Sequence, residues 1–89
     1  MRAIVTVVGK DQVGIIAAVC NSLASYNVNV LDIRQTVMQG YFTMMMVVDV
    51  SACSVPLPQM CEEMEVMGQQ KNLSIRVQRE DIFEAMHRI

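Results

Sequence analysis

The stretch VNVLDIRQTVMQGYFTMMMVVDV, residues 28–50, decides the fold. Its two halves are rich in β-branched and other apolar residues. Gln39-Gly40 sets a glycine beside a polar residue between them, which is the chemistry of a tight hairpin turn. The pattern predicts one strand over Val28 to Met38 and another over Tyr41 to Val50. In the first, Leu31, Ile33 and Val37 alternate with Asp32, Arg34 and Thr36, so one face is expected to seek the core and the other to be polar. In the second, Phe42, Met44, Met46, Val48 and Val50 share one face, while Tyr41, Met45 and Val47 make the other largely apolar. That is the pattern of a strand covered on both sides.

Upstream of the hairpin, Arg2 to Val8 is rich in Ile, Val and Thr and ends at Gly9, as a buried strand does. Gly9-Lys10-Asp11-Gln12-Val13-Gly14 is a turn, after which Ile15, Ile16, Val19, Cys20 and Leu23 recur at helical spacing up to Tyr26 and Asn27. Asp11 or Gln12 stands where this helix is expected to start, and Asp11 is a residue type that accepts hydrogen bonds from orphan backbone N–H groups. Downstream, Pro56 or Pro58 can open a second helix, because a first-turn proline gives up no needed donor. Met60, Cys61, Met64 and Met67 carry it until Gly68 and Asn72 offer stops. Leu73, Ile75 and Val77 alternate with polar residues as a fourth strand. Ile82, Phe83, Met86 and Ile89 form one stripe of a tail helix over about residues 80–89, with Glu80 and Asp81 at its start and His87 and Arg88 at its end.

The order β-α-β-β-α-β contains two β-α-β units, so the expected architecture is a ferredoxin-like α+β sandwich. It has a four-stranded antiparallel sheet, two helices on one face and a short C-terminal helix. The 89 residues make one domain, 1–89. A hydrophobic fraction of 53% against 18% charged residues excludes disorder. A domain this small buries only about 60–65% of its unfolded surface, so the apolar surplus points to a second copy.

A net charge of −2 and a pI near 5.2 give no general attraction for nucleic acid or anionic membranes. The uncharged run from Val13 to Leu31 is interrupted by Asn21, Ser22, Ser25, Asn27 and Asn29, so no transmembrane helix is expected. Without a signal-peptide pattern, the default location is the cytoplasm. Three cysteines without a C-x-x-C pair fit reduced thiols. The single histidine, His87, leaves a zinc site or a Cys-His nucleophile pair without local support, so neither a metal nor a cofactor is expected. Consecutive strand residues point to opposite faces, so Met44, Met45 and Met46 read as packing rather than a soft-metal site.

Gly9-Lys10-Asp11-Gln12-Val13-Gly14-Ile15-Ile16 after a first strand, followed by Asn27-Val28-Asn29-Val30-Leu31-Asp32-Ile33 opening the second, resembles the ACT domain, a small regulatory module of amino-acid metabolism. The continuation through Met44 is similar to a bacterial and archaeal group of free-standing ACT proteins. The resemblance spans Arg2 to about Arg79. It implies a homodimer that binds small effectors, often amino acids, near its interface, through the first strand-to-helix turn and the start of the second strand. Carried over by position, it nominates Gly9, Asp11, Gly14 and Asn29. Where several family members place a His or Asn in the turn, this chain has Gly9 and Asp11.

The chemistry fits that nomination: amides at a helix N-terminus favour a carboxylate, and an acidic side chain beside them can receive an ammonium, together suiting a zwitterion. The alternatives are that Asp11 only caps the helix, that Gly14 only permits close helix-to-strand approach, and that Asn29 is ordinary turn chemistry. Asp32 and Arg34 are expected to be solvated or paired at an interface. The expected function is a non-catalytic, amino-acid-binding regulatory homodimer with a separate target protein. The alternative is a protein-protein interaction module without a small ligand. An RNA-recognition reading shares the element order, but it lacks a basic stripe and stacking aromatics.

Overall fold

The computed structural model describes residues 1–10 and 12–86. Its elements are β1 (Arg2–Lys10), α1 (Ile15–Ser25), β2 (Asn29–Met38), β3 (Tyr41–Asp49), α2 (Leu57–Gln70), β4 (Leu73–Arg79) and α3 (Glu80–Met86). The sheet order is β2-β3-β1-β4 and every pairing is antiparallel. The ferredoxin-like expectation is met.

The hairpin turns where a polar residue and a glycine accept positive φ. Gln39 stands at φ 49° and Gly40 at φ 83°, the two left-handed positions that a turn matched to strand twist requires. Ala3, Val5 and Val7 of β1, Phe42, Met44, Met46 and Val48 of β3, and Leu73 and Ile75 of β4 form one buried face. Ile15, Val19 and Leu23 of α1 and Met60 and Met64 of α2 close over it, so both helices lie on that side. Each large side chain buried there contributes roughly 1.5–3 kcal/mol relative to exposure.

Several expectations are corrected. β2 buries no apolar face in this chain: Leu31, Ile33 and Val37 are all exposed. Ile33 and Val37 do lie opposite buried Met46 and Phe42, but β2 is the outermost strand, and of its residues Val30, near its start beside α1, is the one partly buried against the core. A register shift between Val30 and Asp32 makes Leu31 the extra residue of a bulge. β3 is covered on one side only, since Tyr41 and Met45 are exposed. Helix α1 begins at Ile15, three residues later than expected from Gln12.

Gly68 does not stop α2 but lies buried inside it, and the helix is closed by Lys71 and by Asn72 at φ 59°. Pro56 precedes α2 and Pro58 sits in its first turn, as expected of prolines at a helix start. The tail forms α3. His87, Arg88 and Ile89 of the expected tail lie outside the described residues.

Candidate functional site

The β1-to-α1 turn is held from below. The Gln12 amide donates to the Lys71 carbonyl at 3.0 Å. Gly9 pairs with both Phe42 and Leu73, and a Cβ there would come within 2.6 Å of Leu73 Cδ2 and 3.2 Å of the Asn72 carbonyl oxygen. Gly9 is therefore the residue that lets the α2-to-β4 turn approach the end of β1. Gly14 plays a different part from the close-approach role weighed for it. Nothing lies within 4 Å of where its Cβ would be, and what the position demands is φ +87°. Asp11 lies outside the described residues.

Gly14 is the N-cap of α1 and has no side chain with which to cap it, and the first turn of the helix carries no acidic residue. The Gly14 carbonyl accepts from Ala18 N–H at 2.9 Å, while the first-turn amides of α1 have no partner of their own in the helix. Gly14, Ile16 and Ala17 are exposed around them. A helix start on an exposed turn can accept a small anion or carboxylate.

Asn29 is exposed at the first position of β2 and borders a cavity of about 230 Å³ shared with Ala24, Asn27 and Val28. It does not meet the turn within one chain. Asn29 lies opposite Asp49, whereas Gly9 lies opposite Phe42 at the other end of β3. At ~3.4 Å per residue these positions are about 24 Å apart along the strand. Sequence reasoning nominated Gly9, Asp11 and Gly14 from the turn and Asn29 from the strand as ligand-binding residues but had no means to see that Gly9 and Asn29 stand at opposite ends of the strands.

Two interactions had no advance signal in the sequence. The Asn27 side chain, at φ 61°, donates to the Ala52 carbonyl at 3.1 Å, and the Tyr26 hydroxyl donates to Glu63 on α2. That bond, with burial second, pushes the Tyr26 hydroxyl up to about 12, and it holds Glu63 below the usual carboxylate range with help from Gln59.

All three cysteines are free and half-buried. Cys53 Sγ contacts Met60 Sδ at 3.8 Å, and the Cys61 thiol donates to the Val77 carbonyl at 3.4 Å. Burial raises the Cys61 pKa, which disfavours the thiolate. Among the described residues no group of three His, Cys, Asp or Glu side chains could hold a metal ion, and no helix is long and apolar enough to cross a membrane. Asp32 and Arg34 do not pair with each other there; Asp32 Oδ1 accepts from Ile33 N–H at 2.8 Å.

A family model for the ACT domain matches residues 2–78. A UPF0237 protein from Listeria innocua is 47% identical over 89 residues, covering 100% of both chains. Another from Bifidobacterium longum is 52% identical over 88 residues, covering 99% of this chain and 98% of its own. The solved structure of an ACT domain protein from Streptococcus pneumoniae is 46% identical, covers 98% of each chain and superposes with a TM-score of 0.82.

Proposed function

The chain belongs to the ACT-domain family, and from that premise we propose that it is a non-catalytic regulatory module that binds a small metabolite, an amino acid, as a homodimer. The observation that carries this reading is the start of α1 behind Gly14, an N-cap without a side chain, where first-turn amides can donate to a carboxylate. Asp11 supplies, by residue type, a charge suited to the ammonium.

A dimer follows from the separation of the two nominated ends. β2 is a ten-residue edge strand with no proline or lysine to block pairing. Two such edges pairing antiparallel about a twofold axis would set the start of one β2 beside the end of the other. Because Val37 and Gly9 both lie opposite Phe42, the partner copy's β2 start would arrive at the same end of the composite sheet as the Gly9–Gly14 turn. A ligand bridging Asp11 of one copy and Asn29 of the other would favour one dimer arrangement, and differential affinity of that kind is how binding shifts an equilibrium.

Thermal unfolding against a panel of amino acids tests this. A ligand at ~100 times its Kd adds ~2.7 kcal/mol to the native state, a Tm rise on the order of 10 °C for a domain of this size. Asp11→Ala and Asn29→Ala are each expected to reduce that rise while leaving a folded dimer in the ultracentrifuge. Unchanged affinity in both would remove these residues from the site. No shift across the panel would favour the second reading, a protein-interaction module without a small ligand, which the exposed apolar edge of β2 supports.

A further inference from the structure

Most basic residues of the sheet share one face. Helix α2 carries Glu62, Glu63 and Glu65 and no basic residue, and α3 carries Glu80, Asp81 and Glu84 and no basic residue. The sheet face turned away from α1 and α2 carries Arg2, Lys10, Arg34 and Arg76 against Asp32 and Asp49, a net positive balance. Thr6 lies opposite Met45 on one side and Arg76 on the other, and Met45 lies opposite Arg34, so Arg34, Met45, Thr6 and Arg76 form one row across all four strands. Lys10 shares that face beside Tyr41, as do Asp32 and, at the far end, Arg2 opposite Asp49, with Arg2 paired to Glu80 of α3. Arg34, Arg76 and Lys10 are exposed, and among the described residues none of the three is ion-paired. Between the arginines the surface is apolar: Met45 is 39% exposed and Val8 43%, with Ile4 buried to 8% beneath.

We propose that this sheet face docks an acidic amphipathic helix of another protein, lying along the strands between Arg34 and Arg76. At ~4.8 Å per strand the two arginines stand about 14 Å apart, which admits a helix of ~10–12 Å diameter. Its apolar stripe would rest on Met45 and Val8, and acidic residues on its two flanks would reach Arg34 and Arg76. A methionine at the centre of such a surface adapts to differing side chains. Packing of the same face on a second copy would set two net-positive surfaces, each with four cations and two acids, against each other, which disfavours self-association there. A single-stranded nucleic acid would require several stacking aromatics, and Tyr41 is the aromatic residue this face provides. The proposal goes beyond the ligand reading and holds whether or not a metabolite binds.

The test is fluorescence anisotropy of a labelled peptide of roughly fourteen residues, leucines on one helical stripe and glutamates on both flanks, titrated with the full chain. The expected result is saturable binding at about 50 mM salt that weakens about tenfold at about 500 mM salt, and about tenfold in Arg34→Glu/Arg76→Glu. Arg34→Gln/Arg76→Gln is expected to weaken binding by a smaller factor and serves if the reversed pair fails to fold. A lysine-for-glutamate peptide is expected not to bind. No binding of the acidic peptide at low salt, equal binding of the lysine peptide, or unchanged affinity in a folded double variant would overturn the proposal. So would tighter binding of an oligothymidine, which would assign the face to nucleic acid, or salt-sensitive dimerisation through it.

Discussion

A methyl group at Gly68 would stand 2.9 Å from the Leu73 carbonyl oxygen and 2.9 Å from Ile75 Cγ1. Alanine is the better helix former by ~1 kcal/mol, so an exposed Gly68 would gain from the change. Here the backbone of β4 must give way instead, and overpacking of that kind costs roughly 1–3 kcal/mol. Gly68→Ala is expected to lower Tm by several degrees, measured by circular dichroism; a rise would show that α2 and β4 can separate freely. Gly14→Ala is destabilising for a different reason, a left-handed φ of +87° that costs an L-residue ~1–2 kcal/mol with no clash at all. The two glycines look alike in the sequence, and the reading of Gly68 as a helix stop failed because closeness to β4 is a tertiary fact.

Between elements, the Tyr26–Glu63 bond ties the C-terminal end of α1 to α2. It needs the phenol proton and the carboxylate charge together. Tyr26 is raised from 10.0 to about 12, so its share of stability is complete below pH 10 and is lost as pH rises through about 12. Glu63 is lowered, so its share is present above the ordinary glutamate range and is lost as pH falls through the depressed value. An absorbance titration at alkaline pH is expected to show one tyrosinate step near 12 that disappears in Tyr26→Phe. If the step survives that substitution, the bond does not persist in solution.

The edge strand β2 gives a second prediction between elements. Val37 is 54% exposed in the single chain, so Val37→Lys is expected to leave the fold within about 0.5–1 kcal/mol while placing a charge on the edge proposed to pair. Sedimentation is expected to show a folded monomer. A dimer that persists unchanged would place the interface elsewhere.

Over the whole molecule, the element order, the hairpin and both helix faces were legible from alternation and spacing, because those periods depend only on local backbone geometry. The pattern Phe42, Met44, Met46, Val48 gave the buried face of β3 directly. Its opposite face, and the apolar residues of β2, carried the same signal but remain uncovered in one chain, since hydrophobicity marks surface that seeks cover without naming what supplies it. The candidate site was legible only as separate residues.

What the amino-acid sequence determined by itself was therefore the set of elements, their order and the family. The tertiary structure alone decided that Gly9 and Asn29 lie at opposite ends of the strands, that β2 is an edge strand, and that Arg34 and Arg76 fall in one row on the bare face of the sheet. Strand order and register are set by long-range pairing across the chain. No local period encodes which strand finishes beside which, or which face the helices will leave bare.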